Sequence, residues 1–360
     1  MIQTGFFTHE IQLRRLDQLG DSLKEVGEAI DFEMFRPSLA SLLGVHTGVV
    51  GRKPLDQVFM FKILVLQVIR GLSDEALEFH LNDSASAQRF IGRSPHDTMP
   101  DSTSIWLFRD KLAAARVTRS DDGTGSPGEE IDGVRALFDV FHQQLADKGL
   151  LCREGKTVDA MIVEVPRQRN SRKENESIKN GEVPDAWKGQ PRKLAQKDTD
   201  ARWTKKRNVT YFGYKDSVVG GITDCFVHDY VVSAAQHHDS QIVPEAYYQA
   251  AGEDPVAFGD SAYGGPDIAE RLRGNGITPL IHEKGTRGHP LTDLQIEMNH
   301  LKSKIRVKIE HRFGRMSMCI KRLELRCIGI VRARAEIGMI NLVHNIMEYG
   351  RLKRTPSVAV

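Results

Sequence analysis

Three things are scarce in this 360-residue sequence, and each scarcity excludes something. Its four cysteines, Cys152, Cys225, Cys319 and Cys327, are scattered and form no CxxC pair. That argues against a zinc finger and against a disulfide framework, and reduced thiols suit a cytoplasmic protein. Long apolar runs are missing: the most apolar window, Val58 to Ile69, is too short to span a bilayer and contains Lys62, so no membrane partner is expected. The start, Met1-Ile2-Gln3-Thr4-Gly5, has no basic segment leading into an apolar core, so no signal peptide is expected. There is also no excess of one charge. A formal net charge of +2 means that any nucleic-acid role must come from local basic clusters. What is present is ordinary: 40% apolar and 27% charged residues, and a length that allows two domains and a sizeable core.

Residues 1 to about 150 read as a mostly α-helical domain. Gly51-Arg52-Lys53-Pro54 is a basic break, with Pro54 placed for a first helical turn. Val58 to Ile69 then forms a helix apolar nearly all round, central to its own bundle, and Gly71 stops it. Ser73 caps the next helix, and Asp101-Ser102-Thr103-Ser104 caps the helix Ile105 to Ala115, which carries Arg109 and Lys111. Two short helices across a tight turn are compatible with a helix-turn-helix, but such pairs occur in any helical bundle, so the bundle reading stands first. Ser120 to Glu130 reads as a linker, and Ile131 to Lys148 as one more amphipathic helix.

The second domain, residues 151–350, begins with Thr157-Val158-Asp159-Ala160-Met161-Ile162-Val163-Glu164-Val165-Pro166. Its β-branched residues favour a strand, and the lack of strict alternation implies burial on both faces. A carboxylate inside such a strand is expensive unless paired or holding a metal. A polar insertion follows at about 167–208, with thirteen basic residues against six acids. With Trp187 and Trp203 as its aromatics it is expected to form no core and to be mobile, either as a solvated insertion or as an arm that contacts phosphates. Val209 to Val219 and Asp224 to Val232 make a hairpin around Gly220-Gly221. Ser233 to Ala251, including His237-His238-Asp239, is expected to be helical. Short strands at 255–259 and 277–281 flank a helix from Pro266 to Arg273, and two helices close the chain, Leu301 to Met318 and Glu336 to Leu352.

Strand, hairpin, helix, strand, helix, strand, helices is the order of an RNase H-like α/β domain with a mixed sheet. There the first and fourth strands lie side by side, which would bring Asp159 and Asp260 together across 101 residues. Two such charges repel, and a divalent cation is the usual remedy. Glu310, on a following helix, would complete the cage, with Glu283 and Glu297 as competitors. Hard oxygen ligands without a Cys pair favour Mg²⁺ or Mn²⁺ over zinc, and two such ions suit phosphoryl transfer.

Taken together, several segments resemble a DDE transposase of the bacterial insertion-sequence-five group. They are Gly51-Arg52-Lys53-Pro54, Gly71-Leu72-Ser73-Asp74-Glu75-Ala76-Leu77, Pro100-Asp101-Ser102-Thr103-Ser104-Ile105, Val158-Asp159-Ala160, Ala234-Ala235 with His238-Asp239, Gly259-Asp260-Ser261-Ala262-Tyr263-Gly264-Gly265 and Glu310-His311-Arg312-Phe313-Gly314. The resemblance implies an enzyme that cleaves the ends of an insertion sequence and joins the 3′-hydroxyl to target DNA, with Asp159, Asp260 and Glu310 as catalytic metal ligands. It also implies double-stranded DNA as partner, a homodimer or higher multimer on that DNA, and a cytoplasmic protein associated with the bacterial nucleoid when bound. The family's helix motif places a Tyr, an Arg and a Lys around the glutamate. Arg306 matches, while the other positions hold Ser303 and Ser317, leaving Arg315 or Lys321 to substitute in DNA contacts. Lys205, Lys206 and Arg207 in the basic stretch, and Arg109 and Lys111 in the helical domain, are further candidate DNA contacts. The alternatives are a transposase-derived DNA-binding protein that no longer cuts, and a metal-dependent nuclease without strand transfer.

Overall fold

The aspartate before the long apolar run and the glycine after it set the first major helix. Asp56 accepts a hydrogen bond from the Phe59 N–H at 2.9 Å, and Gly71 turns left-handed at φ 62°, a conformation glycine adopts without penalty. Between them α4 (Gln57–Arg70) buries Val58, Phe59, Phe61, Ile63, Leu64, Val65 and Leu66. At roughly 1.5–3 kcal/mol per fully buried large apolar side chain, this outweighs an exposed ion pair such as Arg36–Asp56, worth about 0–1 kcal/mol. In this computed structural model, which describes residues 8–44, 54–119, 128–249, 252–320 and 323–354, α4 is surrounded by other helices. Those preceding it are α1 (Thr8–Leu19), α2 (Ser22–Ala29) and α3 (Arg36–Leu43), and those following are α5 (Asp74–Asp83), α6 (Ala85–Ile91) and α7 (Ser102–Ala114). Gly51-Arg52-Lys53, Lys321 and most of the expected linker lie outside the described residues. A short ladder, β1 (Arg116–Thr118) with β2 (Glu130–Asp132), leads into α8 (Gly133–Asp147).

The remainder is built on a six-stranded sheet. Its strands are β3 (Gly155–Glu164), β4 (Arg202–Lys206), β5 (Val209–Gly221), β6 (Val227–Ala234), β7 (Val256–Gly259) and β8 (Thr278–Ile281). The path runs β4-β5-β3-β7-β8, and β6 also pairs with β5. Pairing is antiparallel among β3, β4, β5 and β6, and parallel from β3 through β7 to β8. Leaving β4 aside, the order β6-β5-β3-β7-β8 is that of an RNase H-like sheet, with the first and fourth core strands adjacent as expected. The other helices are α9 (Arg172–Lys179), α10 (Pro191–Leu194), α11 (Pro266–Gly274), α12 (Asp293–Cys319) and α13 (Ile330–Arg354). One apolar core runs from Leu23 in α2 through Phe61 and Phe138 to Val218 in β5 and Tyr349 in α13. A smaller one under α11 holds Val158, Val219, Tyr247, Tyr263 and Leu272.

Two expectations are corrected. The described part of the expected Ser233 to Ala251 helix, residues 233–249, is not one: β6 runs to Ala234, and 3-10 turns follow at Asp239–Gln241 and Glu245–Tyr248. The β-branched pair Ile242-Val243 ahead of Pro244 disfavours helix, and the His238 side chain caps the first turn. Nor is the basic stretch a bare arm. Trp187 is 1% exposed and Ile178 is buried, Ser171 and Glu174 form a capping box on α9, and the buried Asp198 accepts from the Tyr214 hydroxyl and the Gly329 N–H. Its last residues form β4, joined to β5 by Arg207 and Asn208, both at positive φ (49° and 68°), as a two-residue hairpin turn requires.

Candidate active site

The pairing register settles how the sheet brings the first two acids together. β3 and β7 pair in parallel as Gly155↔Val256, Lys156↔Ala257 and Thr157↔Phe258. Continued by two residues, that register sets Asp159 opposite Asp260. Asp159 still lies within β3, held on its other side by β5 through Asp159↔Val218. Asp260 begins the turn after β7, and its carboxylate accepts from the Ala262 N–H at 2.8 Å. Burial is the largest influence on Asp159 and raises its pKa above the ordinary carboxylate value. The Asp260 charge pushes the same way, against the Ala160 N–H, Lys206 and Arg306.

Glu310 stands on α12, which crosses the sheet beside β3 and β7. It is half-exposed, and its Oε1 accepts from Arg306 Nη2 at 2.7 Å, while Arg306 Nη1 lies 4.0 Å from Asp260 Oδ2. Four residues apart on a helix, Arg306 and Glu310 share a face. Ser303 and Ser317, seven residues either side of Glu310, are also near that face. Ser303 meets His282 Nε2 at 3.0 Å, and the Ser317 hydroxyl donates to its own helix at Phe313 O.

The competing acids are committed elsewhere or distant. Glu283 accepts from the Gln295 amide at 2.5 Å and sits 3.6 Å from Lys302; Glu297 is exposed on the first turns of α12. Arg315, five residues past Glu310, points round the helix to Glu348 at 2.8 Å, so it does not replace the missing lysine on the Glu310 face. Arg109 is turned inward as well: its two terminal nitrogens each donate to Asp74 at 2.7 Å, tying α7 to α5. That geometry does not support a DNA contact by Arg109. Lys111, Lys205, Lys206 and Arg207 are exposed, and the Lys206 charge opposes the upward shift of the Asp159 carboxyl. His237-His238-Asp239 serves the fold: Asp239 and the His237 carbonyl both accept from Lys215 Nζ.

The structure gives roles to two residues: Arg312, which the sequence offers only as part of a motif, and Tyr263, which it leaves open between packing beside Asp260, touching DNA and lying in the core. Arg312 is 1% exposed and donates to the carbonyls of Gly221, Asp224 and Cys225, bolting α12 to the β5–β6 connection. A side chain at Gly220 would collide with its guanidinium, so the Gly220-Gly221 pair was a signal for a close approach as well as for a turn. Tyr263 is fully buried, and its hydroxyl has no hydrogen-bond partner among the described residues; burial first, then the Asp159, Asp239 and Asp260 charges, holds it protonated.

Asp159 and Asp260 fit a divalent cation as hard oxygen donors: two carboxylates in register, one half-buried and charged against its neighbour. Glu310 does not join them, and among the described residues no group of three or more His, Cys, Asp or Glu is close enough to hold a metal ion. Also among the described residues, no helix is long and apolar enough to cross a membrane.

A mixed sheet of this order, with one carboxylate within its first core strand and another just past the end of its fourth, defines an RNase H-like α/β domain. Residues 151–346 match a transposase DDE domain, and residues 11–111 match a transposase domain (DUF772). The chain therefore belongs to the DDE transposase family. Its backbone is also similar to a chain in the cryo-EM structure of a piggyBac transposase synaptic complex with hairpin DNA. There the identity is 12% and the TM-score 0.43, over 89% of this chain and 74% of that one.

Proposed function

We propose that this DDE transposase is of the bacterial insertion-sequence-five group, cleaving its element's ends and joining the freed 3′-hydroxyl to target DNA. The observation that carries the catalytic reading is the register that sets Asp159 opposite Asp260. These two would hold Mg²⁺ or Mn²⁺, with Glu310 as the third acid. When bound, such ions make an oxygen nucleophile more reactive and offset charge on the leaving oxygen. The protein's own part is placement. β3 carries one carboxylate and the turn leaving β7 the other, and Arg312 bolts the helix bearing Glu310 to the sheet. Arg306 is suited to a phosphate near the reacting bond, its planar fork matching phosphate oxygens. Lys205 and Lys206 at the end of β4, Arg207 on the hairpin turn, and Lys111 on α7 would follow the duplex backbone outward. Two or more copies on DNA and a nucleoid location when bound belong to the same reading.

Asp159→Asn, Asp260→Asn and Glu310→Gln are each expected to abolish cleavage and joining of end DNA while binding survives, because an amide removes the charge that holds the cation. An Asp159→Asn protein that joins ends in Mg²⁺ near the parent's rate would overturn the site. Products that are nicked and never joined would mark a nuclease instead. Inverted repeats in the DNA flanking the gene would support the insertion-sequence assignment.

A further inference from the structure

Arg306 stands where a cation is needed. It touches Glu310 at 2.7 Å and lies 4.0 Å from Asp260, so one guanidinium serves two acids of the site. Of the other basic groups of α12, Lys304 and Lys308 are exposed to solvent, and three more are engaged elsewhere. Lys302 donates to Ile281 O, Arg312 to the β5–β6 connection, and Arg315 to Glu348. Arg306 is also the group toward which Glu310 is turned, which accounts for a third acid that stays out of the Asp159–Asp260 pair. A guanidinium and a divalent cation on the same carboxylates repel each other.

We infer that Arg306 is a place-holding cation: it neutralises Asp260 and Glu310 until DNA arrives, then transfers to a backbone phosphate and frees both acids for metal. This rests on the metal reading proposed above. The exchange is balanced in charge, since the guanidinium leaves one anion for another with the same forked geometry. Metal alone must break the Arg306–Glu310 pair without compensation. Metal and DNA are therefore positively coupled through this one side chain, and by linkage the coupling is reciprocal.

The test is a Mn²⁺ titration of the full chain without DNA, following free Mn²⁺ by electron paramagnetic resonance. Arg306→Gln and Arg306→Met should bind Mn²⁺ at least about fivefold more tightly than the parent, the lower end of ordinary coupling factors. Arg306→Lys, which keeps the charge, should stay near the parent. A saturating duplex oligonucleotide should tighten Mn²⁺ binding more in the parent than in the two neutral variants, by that same factor. Neutral variants that bind no more tightly than the parent, or an equal DNA effect in all proteins, overturn the inference. Asp159→Asn and Asp260→Asn identify which statement has failed. If they still bind Mn²⁺ as the parent does, the metal reading itself falls, and the place-holder with it. If they lose binding while the Arg306 variants behave as the parent, only the place-holder falls.

Discussion

The two long helices at the end of the chain, α12 and α13, are neighbours in sequence and opposites in use. α13 is enclosed along its middle by α2, α4, α7, α8 and β6, and its polar residues Asn341, His344, Asn345 and Glu348 are buried there. Asn345 takes the Val227 N–H and donates to the Val227 carbonyl, both at 2.8 Å, acting as a strand neighbour would. His344 donates to Cys225 O, and burial pushes it down to about 4, so it is neutral near pH 7. α12 leaves Leu294, Ile296, Met298 and Leu301 exposed over its first turns and carries Arg306 and Glu310 on an open face. Polarity along a helix therefore does not say which side meets water. In α13 polar groups complete the sheet's hydrogen bonding; in α12 they are left available for a substrate.

That contrast can be broken at several points. The largest effect is expected from Ile346→Ala in the fully buried stretch of α13, at about 2–5 kcal/mol of unfolding free energy, read from urea midpoints. Next is Asp216 on β5, which accepts from the α13 residue Asn341 at 3.0 Å. Burial pushes its carboxyl up to about 7, the Asn341 amide opposing. A raised folded-state value means the folded protein holds the proton more tightly. The contribution is therefore fully present below the unfolded value near 3.8 and is lost as pH rises to about 7. The slope across that window should approach about 1.4 kcal/mol per pH unit. Asp216→Asn should flatten urea-derived stability between those limits, and an unchanged slope would mean the carboxyl titrates normally.

A smaller change is expected on the open side of the molecule. Neutralising Lys205, Lys206 and Arg207 together should weaken binding to all duplexes about equally. It should also reduce the slope of log affinity against log salt by roughly 2 to 3, near one unit per lost phosphate contact. Parallel salt titrations for parent and variant would remove the hairpin from the DNA path. The smallest effect belongs to Leu294→Ala on α12, 69% exposed, where a change within about 0.5 kcal/mol is expected. A loss as large as that of Ile346→Ala would show that this face is covered in solution.

Much of the sheet was legible because its signals are local. The β-branched run around Asp159, the Gly220-Gly221 turn and the caps at Ser73 and Asp101 each act within a few residues, whereas Asp56 rather than Pro54 begins α4. The segment after β6 was misread because its alanines favour helix, while Ile242, Val243 and Pro244 and the pairing with β5 decide otherwise. The stretch 167–208 was misread for a different reason: its apolar residues are few, but Trp187 and Ile178 are both buried, and Asp198 reaches across to Tyr214 and Gly329. Charge counting cannot see such partners.

The sequence by itself determined which residues could carry the chemistry and in what order the strands come, because hydrophobic period and turn chemistry are properties of neighbours along the chain. Tertiary structure alone decided which of those residues meet. The parallel register of β3 and β7 sets Asp159 opposite Asp260 across 101 residues, and helix geometry gives Glu310 to Arg306 while sending Arg315 to Glu348. Packing turned Arg109 inward to Asp74 and left Lys206 exposed on the hairpin. The reason is physical: charge is a property of each residue, but whether it meets a partner, a sheet or solvent depends on distances that only the folded chain defines.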